Sequence, residues 1–67
     1  MDELTWDDPE EIAELLNEEY PDVDPLYDVR FTDLREWVIA LEGFVDDPDA
    51  STESQLEAIQ MAWNNLK

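Results

Sequence analysis

Apolar residues recur along this chain at helical spacing, in three blocks separated by acidic turns that contain proline. In the first block Ile12, Leu15 and Leu16 form one stripe, with Trp6 packing near its start, while Glu10, Glu11, Glu14 and Glu18 point outward. Asp8 is placed to cap this block, Pro9 suits the first helical position, and Glu11 completes a capping box. The spacing predicts a helix over about Pro9 to Glu19, stopped by Pro21. Tyr20 to Val29 holds two prolines and three aspartates, which excludes regular helix or a central strand and predicts a structured acidic loop. Val29-Arg30-Phe31 alternates apolar, polar and apolar, the pattern of a short edge strand.

Thr32 is then expected to cap a second helix, Asp33 to Glu42, whose inner stripe is Leu34, Trp37, Val38 and Leu41, with Gly43 offering a left-handed terminus. Residues Phe44 to Ala50 form another acidic turn. Ser51 or Thr52 opens a third helix that ends near Leu66, with Leu56, Ile59, Trp63 and Leu66 inward. Each helix has one apolar face, and only mutual packing satisfies all three. The prediction is a mainly α, compact three-helix domain over residues 1–67, with at most a minimal β wing.

Composition adjusts this picture in two ways. A chain of 67 residues buries only about 60% of the surface its unfolded form exposes, so three tryptophans, two tyrosines and two phenylalanines matter as bulky core material. The apolar fraction, 43% and periodic, argues against disorder despite the charge. The absence of cysteine removes disulfides, thiolate nucleophiles and sulfur-ligated metals, and the absence of histidine removes the usual nitrogen ligand. No apolar run approaches the roughly 20 residues that span a bilayer, and MDELTWDD has no signal-peptide pattern, so a cytoplasmic, monomeric protein is expected.

Charge is the dominant feature. Twenty acidic residues face only Arg30, Arg35 and Lys67, for a formal net charge of -17. That exceeds the magnitude of roughly 2 to 8 that solubility asks of a small domain. The field repels nucleic acids and anionic membranes and steers the chain toward basic proteins and cations. Arg30 and Arg35 are expected either to pin the acidic loop by internal ion pairs or to touch a partner, their scarcity favouring the former. No Ser-His, Cys-His or lysine constellation is available, so catalysis is not expected.

Several ordered segments give the chain a family resemblance. They are Leu4-Thr5-Trp6, the loop Tyr20-Pro21-Asp22-x-Asp24-Pro25, and the run Val29-Arg30-Phe31-Thr32-Asp33-Leu34. Trp37, Leu41-Glu42, Asp46-Asp47-Pro48-x-Ala50-Ser51, Leu56-Glu57-Ala58-Ile59 and Trp63 continue it over nearly the whole chain. The sequence resembles the IscX family, small acidic proteins of bacterial iron-sulfur cluster assembly. The resemblance implies a winged-helix-like fold of three helices. It also implies binding to the cysteine desulfurase that supplies sulfur to the scaffold system, and weak, exchangeable binding of ferrous iron through surface carboxylates.

On this basis Glu19, Asp22, Asp24, Asp28 and Asp33 are the candidate partner-binding patch, because the loop and the following cap bring them toward one end. Glu18, Glu19, Asp22 and Asp24 are the candidate ligands for iron, carboxylates on turns being the donors that hard cations take. With 20 acids among 67 residues, neighbouring carboxylates also arise without any metal, and Asp-Pro pairs are ordinary turn residues. The expected function is an adaptor or regulator of cluster assembly. The alternatives are a dedicated ferrous iron carrier and an acidic mimic that occupies a basic, nucleic-acid-binding protein. An exposed aromatic beside the acids, with Trp6 and Tyr20 as candidates, is the expected hot spot.

Overall fold

Three helices form where the periodicity places them: α1 Pro9–Glu19, α2 Phe31–Ile39 and α3 Glu53–Asn65. The computed structural model describes residues 3–67. Their apolar stripes meet in one core of Leu4, Trp6, Ile12, Ala13, Leu16, Val29, Leu34, Val38, Leu56, Ile59 and Trp63, all buried. The most extensive helix contact is between α1 and α3, with α2 laid across them. The radius of gyration, 10.6 Å, matches the roughly 11 Å of a close-packed chain of this length.

The ends of α1 agree with the sequence reading, but its cap differs. Asp8 occupies the N-cap position without a side-chain capping bond, its backbone turned out of the extended region at φ -115°, ψ 57°. Its Oδ2 instead accepts from the backbone N–H and the hydroxyl of Thr5, both at 3.2 Å, closing the turn before the helix. The capping box with Glu11 is therefore not formed. At α3 the box is complete: Thr52 Oγ1 accepts from Gln55 N at 3.2 Å and Gln55 Oε1 accepts from Thr52 N at 3.0 Å. Thr52→Ala is accordingly expected to cost about 1 kcal/mol, read as a lower urea midpoint at unchanged slope.

The second helix corrects three expectations. Arg30, extended at ψ 159°, is its N-cap, so the helix begins at Phe31, and Thr32 lies inside the first turn. Phe31, Leu34 and Val38 then share one face, and that apolar stripe takes Phe31 out of the strand predicted for Val29-Arg30-Phe31. The helix also stops early, at Ile39. A turn over Leu41 to Phe44 follows, in which Gly43 takes the left-handed φ of 92°. Leu66 is a further correction: it lies beyond the last full turn of α3 as its C-cap and is exposed.

No wing is present among the described residues. The β structure reduces to one parallel bridge between Leu4 and Phe44, closed by Leu4 N to Gly43 O at 2.8 Å and Val45 N to Leu4 O at 3.0 Å. Trp6 completes this N-terminal clasp. Its backbone N–H donates to Asp46 Oδ2 at 3.0 Å, its indole Nε1 to Asp47 O at 2.7 Å, and its ring meets Phe44 edge-on at 4.9 Å.

Candidate partner-binding surface

The acidic loop between α1 and α2 is built around two aspartates that bond backbone. Asp24 Oδ1 accepts from Leu26 N at 2.9 Å and Tyr27 N at 3.3 Å, and Asp28 Oδ2 accepts from Asp24 N at 3.1 Å. Asp28 N in turn donates to Asp24 O at 2.9 Å, so residues 24 to 28 make a single closed turn. Asp24 and Asp28 thus hold the loop's shape. Asp22, Glu19 at the end of α1 and Asp33 in the first turn of α2 are exposed.

Asp22 and Asp24 line a shallow depression of about 250 Å³ with Pro21, Val23, Pro25, Asn64 and Lys67. Lys67 Nζ donates to Pro21 O at 2.6 Å, which places a positive charge on this patch. Glu18 lines a different groove, and Glu19 lines neither that groove nor this depression. Among the described residues, no three Asp or Glu side chains stand together as a preformed metal site.

A larger groove, about 490 Å³, runs between α1 and the turn after α2. Glu11, Glu14 and Glu18 line one side, Glu42 the other, and Leu4, Leu15 and Gly43 form the floor. The α1 half of this wall was legible in sequence, since positions 11, 14 and 18 recur at 3 and 4. Glu42 comes from another element, and no spacing along the chain could bring it opposite.

The cations have separate roles. Arg35 donates from Nε to Pro48 O at 2.9 Å and from Nη2 to Asp49 Oδ1 at 2.6 Å, tying the 46–49 turn to α2. This is the one ion pair among the described residues, and its exposure makes it a positioning contact more than a stabilising one. Arg30 is exposed and has no ion-pair partner among the described residues. Trp6 is buried, and Tyr20 is half-buried, stacked on Trp37 at 4.3 Å, so neither is the exposed aromatic expected beside the acids. That place belongs to Tyr27, 86% exposed on the 24–28 turn.

Fold and surface together define a small, mainly helical, highly acidic protein with a grooved carboxylate face and no helix long and apolar enough to cross a membrane among its described residues. The chain belongs to the IscX family: the family model for iron-sulphur cluster assembly matches residues 4–66. An uncharacterized protein of Pseudomonas aeruginosa is 57% identical over 60 residues, 90% of this chain and 89% of that protein. Membership places the chain in iron-sulfur cluster assembly.

Proposed function

We propose that this protein is an acidic adaptor that docks electrostatically on a basic face of the cysteine desulfurase and so regulates delivery to the scaffold. The observation that carries this reading is the groove of Glu11, Glu14, Glu18 and Glu42, whose lining includes no Lys or Arg. In a molecule of net charge -17 such a face lowers the potential over a concave, partly apolar surface, which focuses attraction for cationic side chains. The patch of Glu19, Asp22, Asp24, Asp28 and Asp33 contributes to the same field. Long-range attraction sets the association rate, and the apolar floor sets how long the complex lasts.

Ferrous iron enters as cargo, held weakly. Carboxylates divided between two surfaces attract a divalent cation through the summed field, and exchange with solvent is then fast. The alternative of a dedicated carrier demands a defined stoichiometry and preference for ferrous iron over magnesium.

Calorimetric titration into purified desulfurase, with and without ferrous iron and at two salt concentrations, tests this reading. Binding without iron is expected, weakening about tenfold or more between low salt and about 500 mM as screening shortens the field. Affinity that holds at high salt removes the electrostatic mechanism. No binding in either state by the folded protein sinks the adaptor reading. Stoichiometric, iron-selective binding would favour the carrier.

A further inference from the structure

The turn from Asp24 to Asp28 is built more firmly than an idle surface loop requires. Five hydrogen bonds fix it: the four within the turn and Gln60 Nε2 to Pro25 O at 2.8 Å from α3. The Pro25 ring is fully buried and anchors the turn in the core. On this fixed base Leu26 is 42% and Tyr27 86% exposed, side by side. Neither belongs to the core cluster, and most of Tyr27's apolar surface is left uncovered by the fold. Buried Pro25 is the residue that holds the turn to the domain.

We propose that Leu26 and Tyr27 are the apolar anchor of the docking surface, inserting into an aliphatic notch ringed by Lys or Arg on the basic partner. The inference rests on the adaptor reading and names the residues that fix its complex. A rigid turn presents the two side chains with little ordering entropy left to lose, and tyrosine buries large area for only two side-chain torsions. The phenol suits a notch whose rim is wet and basic. Charge selects the occupant, since a second copy of this chain would bring two bodies of charge -17 together, whereas a basic rim is drawn to Asp28 in the same turn and to Asp22 on the same acidic loop.

Binding of the full chain to purified cysteine desulfurase, measured by association and dissociation rates at two salt concentrations, tests the anchor. Tyr27→Ala is expected to weaken binding about thirtyfold, the threshold of a hot spot, through faster dissociation and with the salt dependence intact. Tyr27→Phe should stay within about threefold, because the ring carries the contact. Asp22→Asn should instead slow association and flatten the salt dependence. Tyr27 is exposed enough that its variants fold, which an unchanged melting curve would verify.

If Tyr27→Ala binds as the parent does, the anchor is refuted and the adaptor reading stands. If the parent itself does not bind, both fall. A concentration-dependent dimer abolished by Tyr27→Ala would assign the anchor to self-association and overturn the basic partner.

Discussion

Trp6→Ala is expected to remove roughly half or more of the domain's stability at 25 °C. The side chain is 1% exposed, packs edge-on against Phe44 and donates its indole N–H to Asp47 O, so alanine removes a large body and a hydrogen bond together. Large-to-small changes at such sites cost about 3–5 kcal/mol. A 67-residue domain has only about 3–10 kcal/mol in total. A far-UV melting transition lowered by more than about 12 °C is the predicted observation. A melting point within about 5 °C of the parent's, worth about 1 kcal/mol, would show that the clasp is dispensable.

Trp63 should respond differently to conservative replacement. It is fully buried, with Tyr20 at 6.5 Å, Trp37 at 6.3 Å and Lys67 Nζ 6.0 Å over its ring. Its Nε1, however, has no hydrogen-bond partner among the described residues. Trp63→Ala is expected to cost about 3–5 kcal/mol, like Trp6→Ala, because both lose the same volume. The phenylalanine variants should separate. Trp6→Phe loses a made hydrogen bond, whereas Trp63→Phe removes a donor that is buried unpaired, so Trp6→Phe is the more damaging by about 1 kcal/mol or more. Urea unfolding of the two variants measures this directly. Equal losses would mean that Trp63 Nε1 is solvated.

Much of the architecture was legible because local chemistry and pattern agree in α1 and α3. Pro9 and Pro21 bracket α1, and its bounds follow from them. Thr52 and the buried positions Leu56, Ile59 and Trp63 define α3 in the same way. Legibility failed where a competing contact, local at Asp8 and tertiary at Phe31, overrode the expected one. Asp8 has the chemistry of a cap, yet its carboxylate is taken by Thr5. Phe31 alternates like a strand residue, but shares a helix face with Leu34 and packs against the core. The candidate surface was legible in charge and not in shape. Glu42 reaches the groove only through the turn after α2, and Tyr27 stands out only because Pro25 beside it is buried.

The N-terminal clasp also bears on the order in which the molecule assembles. Trp6 meets Asp46 and Asp47 across 40 and 41 positions of chain, while each helix closes its bonds within a single turn. Joining ends that far apart in a loose chain costs about 3 kcal/mol of loop-closure entropy beyond a constant. Once α1 and α2 are formed, about half of the intervening chain is already ordered and less of that entropy remains to be lost. The clasp is therefore expected to close after α1 and α2 have formed. Faster amide exchange at Leu4 and Trp6 than within α1 would be the signature of a clasp that also opens before the helices do.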